Sequence, residues 1–372
     1  MKYYIIAGEA SGDLHGSNLI KAIHKKDSAA QIRCWGGELM QQAGATLVKH
    51  YKELAFMGFA EVLLNIRTIL KNIAFCKKDL LNYNPDILIL IDYPGFNLRI
   101  AEFAKENGIK VHYYISPQIW AWKENRIHKI KKVVDAMYVI LPFEKEFYEK
   151  KHDFPVHFVG HPLIDAIANR KQVDEENFRV NNQLSNKPII ALLPGSRKQE
   201  IKKMLAVMLK MADKFTDYQF VIAGAPGQKY EFYSQFITKK NVKFISNKTY
   251  DLLSISYAAI VTSGTATLET ALFKVPEIVC YKTSWISYQI GKWVVNLKFI
   301  SLVNLIMGKE VVTELIQHTF NETCLVTELE KILDTNYRKK IFSDYFDLEK
   351  KLGGKGASEK IAELICQKQE TA

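Results

Sequence analysis

Tyr3-Tyr4-Ile5-Ile6-Ala7-Gly8-Glu9-Ala10-Ser11-Gly12-Asp13-Leu14-His15-Gly16 opens with an apolar run that breaks into glycines. Leu14, Leu19, Ile20 and Ile23 then recur at helical spacing. The pattern is strand, tight loop, helix. Such a loop lies at the carboxyl end of a strand, where open α/β sheets bind ligands. The glycines are expected to let a ligand approach the backbone, and the helix start offers free N–H groups. Glu9 and Asp13 make the loop acidic, so a sugar or acceptor hydroxyl suits it better than a phosphate. Ser11 and Asp13 are as well explained by helix capping as by chemistry. Glu9 is read as functional. The glycine spacing matches neither the dinucleotide fingerprint nor the nucleophile elbow.

The same alternation continues outward from this stretch. Strand-like runs fall at residues 31–35, 87–92, 111–115, 136–141 and 156–159, with helical patterns between them, the longest from 57 to about 83. Residues 169–187 are polar and read as a linker. Strand-like runs then resume at 189–193, 220–223, 242–245, 258–261 and 277–281. Alternating short strands and longer helices predict parallel α/β sheets. The expectation is two Rossmann-like domains facing a cleft: an N-terminal domain over 1–168, a linker over 169–187, a C-terminal domain over 188–340 and a helical segment over 341–372. A helix at 356–369 is expected to cross back onto the first domain.

Composition narrows the class. The chain has 372 residues, 48% hydrophobic, with a net charge of +11. That charge favours anionic partners, but no nucleic-acid module is recognisable, so none is expected. Five dispersed cysteines, with no Cys-x-x-Cys pair, argue against a disulfide framework or zinc site and fit a reducing compartment. The start runs directly into a strand, which is too short for a signal peptide. No apolar stretch reaches the roughly 18 residues of a spanning helix. A cytoplasmic protein is expected.

Three stretches carry candidate chemistry. Leu193-Pro194-Gly195-Ser196-Arg197 ends a strand and opens a helix, so Ser196 and Arg197 suit a diphosphate. Ser263-Gly264-Thr265-Ala266-Thr267-Leu268-Glu269 does the same after another strand. Its hydroxyls and first amides form an anion cradle, and Glu269 can accept from a ribose diol; a capping box is the bland alternative. Ile91-Asp92-Tyr93-Pro94-Gly95-Phe96-Asn97 ends the most apolar strand. Asp92 there is a candidate general base for a sugar hydroxyl, with His112, His157 and His161 as alternatives. No Asp-x-Asp motif occurs, so helix dipoles and Arg197 would have to stabilise a leaving diphosphate without a metal.

Two stretches suggest a lipid surface. Residues 57–78 are more apolar than a one-sided helix needs. Trp120 and Trp122 precede the basic cluster Lys123, Arg126, His128, Lys129, Lys131 and Lys132, a composition suited to an interface-lying segment.

Taken in order, residues 8–13, Tyr114-Ile115-Ser116-Pro117-Gln118-Ile119-Trp120-Ala121-Trp122, Leu141-Pro142-Phe143-Glu144, residues 193–197 and residues 263–269 resemble the lipid-A-disaccharide synthase family. The likeness runs beyond Gly308-Lys309-Glu310. It implies an inverting, metal-independent glycosyltransferase of GT-B architecture with no cofactor. The donor would be UDP-2,3-diacylglucosamine and the acceptor 2,3-diacylglucosamine 1-phosphate. The products would be the β-1,6-linked disaccharide 1-phosphate and UDP, made on the inner face of a Gram-negative inner membrane. Carried over by position, Asp92 and Glu9 would be catalytic. Ser196, Arg197, Ser263, Gly264, Thr265, Ala266, Thr267, Glu269, Asn304 and Gln317 would hold UDP. Ser11, Trp120, Trp122, Lys123, Arg126 and Lys129 would meet the acceptor or membrane. The family carries Asp-Ala-Pro-Asp-Phe-Asn where this chain has Asp92-Tyr93-Pro94-Gly95-Phe96-Asn97, so the second acid is missing. Val303 stands where the family has proline. The competing readings are another UDP-sugar enzyme, such as a UDP-N-acetylglucosamine 2-epimerase or the peptidoglycan precursor transferase, and a silent nucleotide-sugar-binding adaptor. The oligomeric state, a homodimer included, stays open.

Overall fold

The structure, a computed structural model, describes residues 1–54, 66–225, 227–284, 288–289 and 297–367. It divides into two compact units, residues 1–165 with 352–372, and residues 166–351.

The first unit is a seven-stranded sheet. Its strands are β1 (Lys2–Ala7), β2 (Gln31–Gly36), β3 (Thr46–His50), β4 (Ile87–Ile91), β5 (Lys110–Tyr114), β6 (Ala136–Val139) and β7 (His157–Phe158), in the order β3-β2-β1-β4-β5-β6-β7. All pairings are parallel. Every residue of β4, Ile-Leu-Ile-Leu-Ile, is fully buried. Parallel strands are covered on both faces, which is why this one is an unbroken apolar run and not an alternating one. The chain winds outward from β1 to β3, then returns to place β4 on the other side of β1. The loops after β1 and β4 therefore diverge, and this is the unit's switch point.

The second unit repeats the plan with β8 (Ile189–Leu193), β9 (Gln219–Gly224), β10 (Val242–Ser246), β11 (Ser256–Thr262), β12 (Glu277–Tyr281) and β13 (Glu314–Ile316). The order is β10-β9-β8-β11-β12-β13, again parallel throughout. Its switch point lies between β8 and β11. The two short edge strands, β3 and β13, are additions to the sequence reading.

The chain divides differently from the sequence boundaries. Residues 169–187 belong to the second unit, because they contain the helix Glu175–Asn181, whose Phe178 is buried in that unit's core. The helix Thr335–Lys351 also belongs there, whereas Ala357–Gln367 belongs to the first unit. The Asp165 carboxylate accepts from the Gly356 and Ala357 amides at 2.7 and 3.0 Å, and Lys26 pairs with Glu363 at 2.7 Å. The long helix expected from 57 is present over Ile66–Tyr83, and residues 57–65 of that lipid-surface candidate lie outside the described residues. Among the described residues, no helix is long and apolar enough to cross a membrane.

Candidate active site

In the second unit, a concave site of about 530 Å³ opens at the carboxyl end of the sheet. The loop after β8 supplies Gly195, Ser196 and Arg197, the loop after β11 supplies Ser263 and Gly264, and the helix that follows supplies Thr265, Ala266 and Glu269. The two diphosphate-type motifs thus meet at the switch point, where parallel α/β sheets hold ligands. Gly195 has φ +98°, a left-handed turn that suits glycine. The helix Thr265–Leu272 begins in the site, so its first amides and dipole face an incoming anion. Ser263 anchors the loop by donating to the Ile300 carbonyl at 2.8 Å. Glu269 is half-buried, and burial raises its carboxyl above the usual range. Tyr250 Oη donates to Glu269 Oε1 at 2.8 Å and aims it.

In the first unit, Glu9 and Asp92 follow the paired strands β1 and β4, again at the switch point. Asp92 and Tyr93 have φ 45° and 48°, two consecutive left-handed residues without glycine. Such backbone costs energy and persists only when surroundings hold it. Here the Asp92 carbonyl accepts from Asn97 Nδ2 at 2.7 Å and Tyr113 Oη at 2.6 Å. Tyr93, not Asp92, is the N-cap of the helix Pro94–Glu106. The Asp92 carboxyl is raised to about 6, by burial first and the charge of Glu9 second, against the pull of the Tyr93 amide. That value places a carboxylate near the operating range of a general base.

Comparison with known proteins settles the family. Residues 3–366 match the family model described as lipid-A-disaccharide synthetase. The chain belongs to the lipid-A-disaccharide synthase family. The Syntrophus aciditrophicus lipid-A-disaccharide synthase is 42% identical over 366 residues, covering 96% of this chain and 95% of that protein. The Geobacter metallireducens enzyme of the same name is 37% identical over 370 residues, covering 98% and 96%. Among solved structures, the UDP-GlcNAc 2-epimerase of Neisseria meningitidis bound to UDP-GlcNAc superposes with a TM-score of 0.70 at 14% identity, covering 99% of this chain and 100% of that one. At that identity the likeness speaks to fold alone: two Rossmann-like domains of GT-B type.

Several residues that the family likeness placed in the site have other work. Asn304 is fully buried, and its amide is saturated. Its Nδ2 donates to the Val312 carbonyl and Glu314, and its Oδ1 accepts from the Val311 and Val312 amides. Thr267 is also fully buried and donates to the Gly264 carbonyl at 2.9 Å. Neither lines the concave site. Gln317 stands outside its lining too, beside the lining residue Tyr281, whose carbonyl accepts from the Gln317 amide at 2.8 Å. The glycines after β1 serve packing, not ligand approach: a Cβ on Gly8 would lie 2.4 Å from the Tyr93 ring, and one on Gly16 would lie 2.7 Å from Met40 Sδ. Asp13 is buried and caps a neighbouring helix, accepting from the Gly37 and Met40 amides at 2.8 and 3.0 Å. Ser11 is exposed. His161 is buried and lowered to about 3, chiefly by burial, and its Nδ1 accepts from the Leu163 amide at 3.2 Å. It is a cap, not a base.

The tryptophan segment also divides. Trp120 is half-buried and donates to Glu144 Oε1 at 3.2 Å. Glu144 is a buried hub that also accepts from Ser116 Oγ and the Ile140 and Leu141 amides. Lys129 is paired with Glu102 at 2.7 Å. Trp122 is 43% exposed, with Lys123 Nζ 4.5 Å and the Arg126 guanidinium 5.5 Å from its ring. The residues that sequence reading missed include the lining residues Glu200, Thr249, Thr262 and Tyr281, and Tyr250, which reaches Glu269. Only Glu200 carried a signal, an acid in the first turn of a helix. Among the described residues no group of three or more His, Cys, Asp or Glu could hold a metal ion.

Proposed function

We propose that the chain performs the family's reaction with Asp92 as the base and the second unit's concave site as the UDP-sugar site. The activity is that of a hexosyltransferase, a lipid-A-disaccharide synthase. It joins UDP-2,3-diacylglucosamine to the 6-hydroxyl of 2,3-diacylglucosamine 1-phosphate, releasing UDP. The observation that carries the reading is the convergence of Arg197, the helix start at Thr265 and Glu269 in one site at a sheet switch point. Helix amides and a guanidinium supply the donors a diphosphate needs, and a positioned carboxylate suits a ribose diol.

The acceptor hydroxyl attacks the anomeric carbon from the face opposite UDP. Its proton passes to Asp92, and the growing charge on the departing diphosphate falls on Arg197 and the helix N-terminus. Glu9 assists by raising the proton affinity of Asp92. No metal is needed in this scheme. Trp122, Lys123 and Arg126 meet anionic headgroups at the inner face of the membrane, the indole lying at the interface and the cations on phosphate.

The direct test is UDP release by the purified protein in EDTA, with both detergent-dispersed lipids. Release that needs both lipids, with a disaccharide seen by mass spectrometry, supports the reading. Release in the absence of the acceptor, or dependence on added metal, opposes it. For the surface, the K123A/R126A variant should bind vesicles with 30% anionic lipid roughly thirtyfold less tightly than wild type, a loss on the order of 1 kcal/mol per cation. Equal binding removes this cluster from the membrane role.

A further inference from the structure

We propose that Glu200 and the diphosphate of UDP compete for the same backbone amide, and that this competition limits how tightly product UDP is held. The inference rests on the reading of the concave site as the UDP site and adds a positioning residue to it.

The helix Lys198–Met208 starts in that site, and Glu200 lies in its first turn. The Glu200 carboxylate folds back over the loop that precedes the helix. Its Oε2 accepts from the Ser196 amide at 3.1 Å. It lies so close to Gly195 that a Cβ there would come within 2.2 Å of Oε2. The left-handed φ of +98° favours glycine here, and the bare Cα lets the carboxylate settle on the loop. The carboxylate therefore rests directly on the loop that, with Arg197, is read as the diphosphate cradle.

An amide carries one hydrogen. While Glu200 holds it, a phosphate oxygen cannot. Two anions on one donor also repel, and at contact distance that repulsion is strong even near a surface. Glu200 is half-buried at the edge of the site, and rotation of its own side chain frees the Ser196 amide without moving the helix. Diphosphate binding thus exchanges one charge-assisted hydrogen bond for another, and the net gain is less than the cradle alone would give. The donor sugar nucleotide recovers the difference through its sugar and acyl contacts. UDP, having lost them, does not. The expected effect is a bias toward product departure.

The test compares wild type, Glu200→Gln and Glu200→Ala by calorimetry with UDP, inorganic pyrophosphate and uridine, alongside steady-state kinetics and melting temperatures. Glu200→Gln keeps an acceptor for the Ser196 amide but removes the charge. The expected result is roughly tenfold tighter UDP binding in both variants, the scale of one close charge contact screened by water. Pyrophosphate should tighten too, and uridine should not. Donor KM and kcat should fall together as UDP leaves more slowly. Unchanged or weaker UDP binding by both variants, with the Glu200→Gln protein keeping the wild-type melting temperature, overturns the competition and leaves Glu200 a helix cap. Wild-type protein that fails to bind UDP at all overturns the underlying site reading instead.

Discussion

Glu9 and Asp92 stand at the ends of the neighbouring strands β1 and β4, and their charges are coupled. Burial is the larger cause of the raised Asp92 carboxyl, and the Glu9 charge adds to it. An active Asp92 must be deprotonated, so kcat/KM should fall on the acid side with a midpoint near 6. Replacing Glu9 by Gln removes a nearby negative charge, which favours the Asp92 carboxylate. The acid limb of the pH–rate profile should then move to lower pH. A limb that stays in place, with activity retained, would show that Glu9 does not tune the base.

Asp92→Asn should lower kcat by about 10²–10⁴-fold, the usual contribution of a positioned base. UDP affinity should be unchanged, because the site proposed for UDP is built from residues of the other unit. Calorimetry and initial rates separate the two. Near-normal rates would move the base to Glu9, since the buried His161 is occupied as a cap.

Glu269→Ala should weaken UDP binding, and Tyr250→Phe should weaken it less. The phenol aims the carboxylate, and the proposed ribose contact is made by the carboxylate. One hydrogen bond at stake sets a scale of about 1 kcal/mol for the tyrosine change. Equal UDP affinity across wild type and both variants would return Glu269 to a packing role.

Asn304→Ala should be a stability variant. It leaves the Val311 and Val312 amides without their acceptor and the Val312 carbonyl without its donor. The expected loss is roughly 3 kcal/mol, read by urea unfolding of the purified protein. A UDP affinity that falls while stability holds would place Asn304 in the nucleotide site after all.

The strand-loop-helix units were legible because parallel strands buried on both faces are continuous apolar runs, as β4 and β8 are. The edge strands β3 and β13 were not, since Thr46–His50 is only half-buried and mixes polar with apolar residues, and Glu314–Ile316 is three residues long. The loops at both switch points were found from their glycine, hydroxyl and acidic residues. Sequence could not tell a hydroxyl or amide that faces a ligand from one that closes a local turn. Thr265 is exposed in the concave site and Thr267 is sealed beneath it, two residues apart in one motif. The hydrogen bonds of Asn304 and Trp120 were hidden for the same reason. Their partners, Glu314 and Glu144, lie 10 and 24 residues away, beyond any local pattern.

Residues 352–367 complete the unit that residue 1 begins. The helix Ala357–Gln367 supplies its pairing with Lys26 and the amide of Ala357 for Asp165. A ribosome therefore releases the whole second unit before the first can close. During synthesis the nascent sheet of the first unit waits with one flank uncovered, until a helix made after the whole second unit closes it. A chain that stops at Lys351 would keep the whole of the second unit and leave the first unsealed and exposed to proteases.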